Sequence, residues 1–341
     1  MKKSILAIPI LLIVGLILSI ACVPTAPPKE TKPPASPPIE TKPPAVSQPE
    51  PEVLPSFPLT VTDDLGRKVT IAKLPQRIIS LAPSNTEILF ALGLGDKIVG
   101  VTDYCDYPEA AKTKPRVAGY STPNIEKLIS TEPDLVLAES IHEKTVLPAL
   151  ERLGLAVIIT KATSIDTVLH EISLIGQVNG KSKAATKLVD SMTQRINTIT
   201  NKTNALNPEQ RLRVLYAVWH DPIWTMGSET FSTDLITMAG GTNIFANDFK
   251  ESRVVSLESV ITKNPQVILV SGMGTSGDLI YNGIKNESRL NSVDALVNKR
   301  LYKISDANLV ERPGPRIVDG LEEVAKLIHP EIFGALNMKS N

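Results

Sequence analysis

From Leu59 onward, short apolar runs alternate with amphipathic helical patterns. Residues 59–62 and 68–71 alternate apolar and polar positions around the turn residues 63–67, which predicts a β-hairpin. Apolar runs typical of buried strands follow at 77–82, 97–101, 135–137 and 157–159, and a helical pattern over 86–92 ends at Gly93. Strands followed by helices, repeated in this way, predict a parallel sheet covered by helices.

The second half of the chain repeats this plan. Strands are predicted at 213–218, 267–270 and 301–304, and helices at 231–239 and 316–328. Between the halves, apolar residues recur every three or four positions over 182–204, which predicts one helix about 35 Å long. We therefore predict a first lobe over 59–181, a linking helix over 182–205 and a second lobe over 206–341. A helical connector favours small opening motions.

An internal repeat indicates that the two lobes share one architecture. Residues 125–137 align without gaps on 257–269, pairing Glu126 with Glu258 and Pro133 with Pro265. Each segment is a short helix, a proline that ends it and a buried strand. The predicted fold class is α/β, with two similar lobes of central sheets flanked by helices and a ligand cleft between them.

The first residues form an export signal. Lys2 and Lys3 precede an apolar run over 5–20, which ends at Ala21-Cys22 in the manner of a bacterial lipobox. We predict a signal peptide over 1–21 and lipidation of Cys22. Ser19 stands where such motifs usually have leucine, and an uncleaved anchor is the alternative. Both interpretations place the rest of the chain outside the cytoplasm, held at the cell membrane.

A proline-rich tether is predicted over 22–58. Residues 23–58 contain 13 of the 27 prolines, and residues 27–36 are nearly repeated at 37–46. Such a segment has too little apolar surface to pack and should stay extended, with a reach on the order of 100 Å. It predicts a spacer that lets the folded part leave the lipid surface and return.

Composition narrows the function further. The chain has 36 basic and 36 acidic residues, which gives no reason to expect a nucleic-acid partner. An exported hydrolase is the alternative from another class, but the sequence has neither a G-x-S-x-G nor an H-E-x-x-H motif. Its four histidines are scattered, so we expect no catalytic residues, no bound metal and no resident cofactor.

Four motifs carry a resemblance to a known family. They occupy residues 77–87, 100–108, 124–126 and 311–317. They resemble the helix-linked (class III) binding proteins of ABC importers, which serve vitamin B12, ferric siderophores and haem; the resemblance covers residues 59–334. The tract 104–108 is most similar to the cobalamin branch. The resemblance implies a monomer that captures a corrinoid and delivers it to a permease dimer with its ATPase subunits.

The resemblance also implies which residues contact the ligand. A corrin is a large, mostly apolar disc with amide groups at its edge, which aromatic side chains and an arginine suit. The matching residues are Pro83, Tyr104, Tyr120, Trp219, Trp224 and Arg312. Two departures leave a ferric siderophore or haem as the alternative cargo: Glu139 and Ser140 stand where the vitamin B12 binder has a tryptophan, and a second tryptophan near residues 253–255 is missing.

Three further residues have two interpretations each. In the family, Glu126 and Glu258 would dock into arginine pockets of the two permease subunits, whereas each is also a glutamate in the first turn of a helix, where it favours the helix dipole. His220 follows a strand directly and could be an axial ligand to the cobalt or iron of a bound cofactor-like cargo. The alternative for His220 is a surface loop histidine.

Overall fold

Among the described residues, two larger β-sheets, one in each half of the chain, and a separate two-stranded hairpin organise the fold. The computed structural model describes residues 55–117, 119–272 and 276–335. The predicted signal peptide, Cys22 and most of the predicted tether lie outside the described residues. At the start of the described part, the Phe57 side chain already packs against the main apolar core.

The first lobe contains a hairpin and a parallel sheet. Among the residues that the structure describes, four strands form this sheet in the order β4–β3–β5–β6. The elements of this lobe are β1 (Leu59–Thr62), β2 (Lys68–Ile71), β3 (Ile78–Ser80), α1 (Pro83–Ala91), β4 (Ile98–Val101), α2 (Ile125–Ile129), β5 (Leu135–Glu139), α3 (Leu147–Arg152), β6 (Val157–Thr160) and α4 (Ile165–Val178). The hairpin β1–β2 is antiparallel, as its alternating pattern predicts.

Among the described residues one helix, α5 (Ser182–Thr203), connects the lobes; it starts where the predicted linking helix starts and ends two residues before it. It buries Ala185, Met192, Ile196 and Ile199, the apolar stripe that its sequence pattern indicates. On its other side Arg195 binds two carboxylates near the end of the chain, Asp319 at 2.5 Å and Glu322 at 2.9 Å. The connector therefore packs against α4 of the first lobe and is also bound to the second lobe.

The second lobe is built on a mixed sheet. Within the described ranges its strands follow the order β10–β8–β7–β11–β12, with β9 also paired to β7. The elements are β7 (Leu212–His220), β8 (Ile223–Thr225), α6 (Phe231–Met238), β9 (Gly241–Asn243), β10 (Arg253–Val255), α7 (Leu257–Lys263), β11 (Val267–Val270), α8 (Ser276–Asn286), α9 (Asp294–Val297), β12 (Leu301–Lys303), α10 (Asn308–Glu311), α11 (Ile317–Ile328) and α12 (Pro330–Phe333).

The internal repeat is visible in the backbone. Helices α2 and α7 both begin after a side-chain cap, from Asn124 and Ser256 respectively. Both then turn through a residue with positive φ directly before the proline, 48° at Glu132 and 44° at Asn264. The strands that follow, β5 and β11, are almost wholly buried. The two lobes therefore share this helix–strand unit.

One apolar core runs through both lobes. It contains residues of α4 from the first lobe together with residues of α5, α6 and α11. A polar contact reinforces this junction, because the Asp234 carboxylate of α6 accepts a hydrogen bond from the backbone N–H of Ile165 at the start of α4 (2.7 Å). Helix α4 was not predicted from the sequence, although the side chain of Ser164 caps its first turn. The lobes are thus held together by packing as well as by the connector.

None of the helices in the described ranges combines the length and apolarity that a membrane span requires.

A buried carboxyl group lies in α4. Glu171 is 1% exposed, and its Oε1 atom has no hydrogen-bond partner among the described residues. Burial, with a smaller effect from the Asp64 carboxylate, raises the pKa of Glu171 to about 10. In the unfolded chain this group ionises near its ordinary value of 4.5, so the folded state holds a proton that the unfolded state releases. Folding stability must therefore fall as the pH rises between these two values.

We expect Glu171→Gln to remove this pH dependence, because an amide occupies the same space without ionising. The variant should be more stable than the wild type at pH 7.5 by at least about 1 kcal/mol, and its advantage should vanish near pH 4.5. Urea unfolding at both pH values measures this, with exposed Glu143→Gln as the control. An advantage of equal size at both pH values would mean that packing, not ionisation, is responsible.

Candidate functional site

A cavity of about 450 Å³ lies between the two lobes. Its walls come from the carboxyl ends of β3, β4 and β5 in the first lobe and from the end of α10 in the second. The lining residues are Pro83, Ser84, Tyr104, Gly119, Tyr120, Ser121, Thr122, Glu139, Glu311, Arg312 and Pro313. Ligands of open α/β sheets bind at the carboxyl ends of the strands, and the volume suits a small-molecule site.

Other hollows are slightly larger. One of about 560 Å³ lies on the back of the molecule against α4, α5 and α6, and one of about 550 Å³ lies beside the β1–β2 hairpin within the first lobe. The cavity between the lobes is nevertheless the better candidate, since it lies at the carboxyl ends of the strands and has an exposed aromatic ring and charged groups on its walls.

Local structure explains how the first lobe presents its residues. Pro83 is the first residue of α1, where a proline is well accommodated because no N–H is needed. Tyr104 lies in the turn after β4 and is 60% exposed. The next residue, Cys105, is buried and accepts a hydrogen bond from Thr86 (3.1 Å), and burial raises the pKa of its thiol. Arg116 binds the carbonyl of Cys105 at 2.8 Å and so fixes the turn from outside. Cys105 is thus a structural residue.

Glu139 ends β5 on the cavity wall and collects two hydroxyl donors. Ser84 Oγ donates to its Oε1 atom (2.5 Å), and the Tyr120 hydroxyl donates to its Oε2 atom. Burial, with the Glu139 charge, raises the pKa of Tyr120, so its phenol keeps the proton that it donates. The Tyr120 ring also meets His142 edge to face, with ring centroids 5.7 Å apart.

The second lobe contributes another carboxyl group. Glu311 accepts a hydrogen bond from Ser271, which follows β11, at 2.5 Å. Burial raises the pKa of Glu311 above its ordinary value. Two carboxyl groups from opposite lobes therefore line one cavity.

An ionic cluster joins the lobes beside the cavity. Glu87 of α1 is 4% exposed and binds Arg316 of the second lobe through both oxygens, at 2.8 and 2.6 Å. Arg312 binds Asp106 of the first lobe and lies 3.7 Å from Glu87. Although burial opposes it, the hydrogen bond from Arg312 holds the pKa of Asp106 below its usual range. The Arg316 guanidinium also lies over the Tyr107 ring, 3.8 Å from its centroid. We call Glu87, Asp106, Arg312 and Arg316 the interlobe clasp.

Four of the predicted contact residues line this cavity: Pro83, Tyr104, Tyr120 and Arg312. Arg312 is not free, however. Besides Asp106 and Glu87, its guanidinium contacts the Tyr104 carbonyl at 3.3 Å, and only the buried Nε atom lacks a partner among the described residues. In this structure Arg312 holds the lobes together and forms part of the cavity wall.

Trp219 and Trp224 lie apart from the cavity lining. They are direct partners in the antiparallel ladder of β7 and β8, and they are 38% and 44% exposed. The Trp219 indole N–H donates to the carbonyl of Asp221 (2.9 Å). Ala217, two residues before Trp219, accepts from the N–H of Ser271, whose hydroxyl binds Glu311. The tryptophan pair therefore lies near the carboxyl end of β7, the end of the second-lobe sheet at which Ser271 binds Glu311.

His220 points elsewhere. Side chains alternate along a strand, so His220 faces away from Trp219, and its ring packs on α8 where Gly283 leaves room for it. It lines a separate groove that also contains Glu258, and its buried Nδ1 atom has no hydrogen-bond partner in the described part of the chain. An axial-ligand role would require this side chain to leave its packing.

The two repeat glutamates are exposed. Glu126 and Glu258 are each the second residue of their helix, α2 and α7, and both are open to solvent. The structure thus keeps both interpretations of these residues, as docking groups and as favourable charges at a helix start. Within the ranges that the structure describes, no group of three or more His, Cys, Asp or Glu side chains could hold a metal ion.

Several residues of the site were not predicted as such: Ser84, Glu87, Asp106, Glu139, His142, Ser271, Glu311 and Arg316. Five of them, Ser84, Glu87, Asp106, Glu311 and Arg316, lie in the motifs that carried the family resemblance, which was the available signal. The pairing of Glu87 with Arg316 could not be predicted from the sequence, because each charged residue of one motif has many potential partners in the other.

A ligand-sized cavity between two similar α/β lobes joined by one long helix defines a two-lobed substrate-binding protein. The sequence pattern of the periplasmic binding protein family matches residues 78–307, and the chain belongs to this family. The predicted resemblance is thereby confirmed. The family consists of transport proteins that bind a substrate, so the chain is not an enzyme and the hydrolase alternative is excluded.

Known relatives share the fold but differ in ligand. An uncharacterised ABC transporter substrate-binding lipoprotein of Bacillus subtilis is 34% identical over 282 residues, which cover 81% of this chain and 87% of the relative. The vitamin B12-binding protein of Vibrio cholerae matches with a TM-score of 0.65 and 31% identity, over 75% of this chain and 97% of that structure. A Staphylococcus epidermidis protein described as a possible iron-binding protein gives 0.66 and 34%, over 75% and 100%. The ligand must therefore be argued from the cavity itself.

We expect Glu87→Gln to destabilise the protein by about 3 kcal/mol, since among the described residues the buried Arg316 guanidinium then keeps only its longer contact with Asp306 (3.4 Å) as a charged partner. Chemical unfolding measures the loss. Glu109→Gln is a matched control, because Glu109 pairs with Lys112 on the open surface, and it should leave the unfolding midpoint unchanged. A Glu87 variant as stable as the wild type would show that the clasp does not hold the lobes.

Proposed function

We propose that this protein captures a corrinoid of the vitamin B12 type between its lobes and delivers it to an ABC permease. The observation that carries the proposal is the cavity itself, where an exposed tyrosine and a proline face a wall of hydrogen-bonding groups. A flat, mostly apolar ring system with amide edges fits such a lining, because aromatic faces bury wide area while polar groups satisfy its rim.

The charge around the cavity supports a neutral ligand edge. Among the described residues, the cavity wall and the interlobe clasp, together with Asp306 beside Arg316, contain five carboxyl groups and two guanidinium groups. The carboxyl groups are those of Glu87, Asp106, Glu139, Asp306 and Glu311, and the guanidinium groups are those of Arg312 and Arg316. Both guanidinium groups are already paired. A haem with ionised propionates, or a siderophore with acidic donors, would meet repulsion in such a site, whereas the amides of a corrinoid would not.

Exposed aromatic side chains add to the proposal. Tyr104 is the most exposed ring of the cavity, and Trp219 with Trp224 forms an exposed pair at the edge of the second-lobe sheet. If the ligand extends beyond the cavity, these rings are suited to cover its flat face. The relative from Vibrio cholerae binds vitamin B12, which agrees with this choice of ligand class.

We expect the full chain, purified in detergent, to bind cyanocobalamin one to one at micromolar affinity or better, about −8 kcal/mol or stronger. Calorimetric titration measures this, with haem and one ferric carboxylate siderophore as comparison ligands. Tyr104→Ala should weaken binding by about tenfold or more through lost aromatic contact. Binding of haem or the siderophore alone would keep the binding role and overturn the corrinoid.

Delivery to a permease is the second part of the proposal. Glu126 and Glu258 stand on equivalent helices of the two lobes, both exposed at the start of the helix. A pair of like charges on two similar lobes suits a receiver made of two permease subunits with positive pockets.

We further propose that Cys22 carries the lipid anchor that keeps the protein beside this permease, which fatty-acid labelling of Cys22→Ala would test.

Charge reversal at both positions, Glu126→Arg with Glu258→Arg, should abolish corrinoid uptake by cells and leave the affinity for ligand unchanged. The reason is that both side chains lie outside the cavity but would face the permease. Uptake of labelled cyanocobalamin and calorimetry on the same variant measure the two effects. Glu143→Arg, another exposed glutamate of the first lobe, is the control. Unimpaired uptake by the double variant would remove these residues from the docking role.

A further inference from the structure

The Glu139 carboxylate has unused hydrogen-bonding capacity in the cavity. A carboxylate accepts about four hydrogen bonds, whereas Glu139 receives one on each oxygen, from Ser84 and from Tyr120. The side chain is half-buried and belongs to the cavity wall. Acceptor positions therefore remain for donors of a ligand.

The position of this carboxylate is fixed by its neighbours. The backbone N–H of Glu139 donates to His142 Nδ1 (3.0 Å), so this nitrogen is the acceptor and the other ring nitrogen carries the proton. His142 Nε2 then donates to the carbonyl of Tyr120 (2.6 Å). His142, itself fully buried, thus ties the strand that presents Glu139 to the segment that presents Tyr120. These contacts hold the backbone on either side, while the carboxylate itself is oriented by the hydroxyl groups of Ser84 and Tyr120.

The Glu139 carboxylate has no cationic partner among the described residues. In the described part of the chain it forms no ion pair, and its two partners are hydroxyl groups. The guanidinium on the cavity wall, that of Arg312, is engaged by Asp106. Across the cavity, Glu311 offers another carboxyl group rather than a cation. A ligand group placed at Glu139 therefore meets a fixed acceptor with an uncompensated negative charge.

We propose that Glu139 determines the specificity of the cavity: it accepts hydrogen bonds from neutral N–H donors at the ligand edge, such as primary amides, and rejects a carboxylate at the same position. This inference rests on the proposed capture of a corrinoid, whose rim carries such amides.

A purely structural role for Glu139 predicts something different. If Glu139 only braced Tyr120, its replacement would weaken all ligands alike, and so would Tyr120→Phe, which removes the same hydrogen bond. The ratio of affinities for an amide and for the corresponding acid separates the two roles, since a brace does not distinguish them.

The test compares cyanocobalamin with its monocarboxylic acids, in each of which one propionamide is hydrolysed, by calorimetry on the full chain in detergent. For at least one positional isomer, the wild type should prefer the amide by about tenfold or more, equivalent to about 1.4 kcal/mol. Glu139→Gln should reduce this preference to within about twofold, because the isosteric amide keeps the shape without the charge. Tyr120→Phe and the exposed control Glu143→Gln should retain the preference.

Equal affinities of the wild type for the amide and for every acid would overturn the inference, whether or not the Glu139 variant folds. An unchanged preference in a folded Glu139→Gln would overturn it as well. Failure of the wild type to bind any corrinoid would instead refute the proposed cargo. The inference is then tested with the comparison ligand that binds, haem or the carboxylate siderophore. Because Glu139→Gln removes the charge that repels a ligand carboxylate, this variant should bind that ligand at least about threefold more tightly than the wild type. Unchanged affinity would overturn the inference too.

Discussion

The buried carboxylate of Glu87 is the constraint on which the cavity depends. A carboxylate removed from water must be paired, and the partners of Glu87 are guanidinium groups of the other lobe, Arg316 at hydrogen-bond distance and Arg312 at 3.7 Å. Wide separation of the lobes would leave these groups unpaired. The same contacts hold Arg312 against Asp106 and thereby set the wall of the cavity. The width and the charge of the site are thus consequences of one interlobe cluster.

Apolar packing, like this ionic cluster, opposes separation of the lobes. The main apolar core includes α4 of the first lobe and α6 and α11 of the second, with the connecting helix α5 between them. Large rotations of one lobe against the other would break this core, so small adjustments are the motions that the structure favours. A ligand is then recognised by groups that are already in place, such as Glu139 with its two hydroxyl donors.

The arrangement of the strands brings chemistry from distant parts of the chain to one place. Tyr104, Glu139 and Glu311 all follow or end elements whose carboxyl ends converge between the lobes. The same lobes present Glu126 and Glu258 to solvent from equivalent helices. The internal repeat therefore serves two purposes in the proposed function: it closes a cavity from two sides and offers a paired surface to a two-subunit receiver.

The sequence by itself determined the local elements and their order. Period-two and period-3.6 patterns are properties of neighbouring residues, so the β1–β2 hairpin, the buried strands, helix α5 and the repeated helix–strand unit were all predictable. They also sufficed for the fold class, and the motifs for the family. The helix α4 was missed because its pattern was not assigned, although Ser164 marks its start.

Tertiary structure alone decided what the site residues do. Glu87 and Arg316 are 229 positions apart, and no periodicity links charges at such a separation. Strand alternation and the packing of α8 turned His220 away from the cavity, and Asp106 engaged the arginine that was predicted for the ligand. A sequence pattern records which side of an element is buried, whereas partners across a cavity depend on how whole lobes come together.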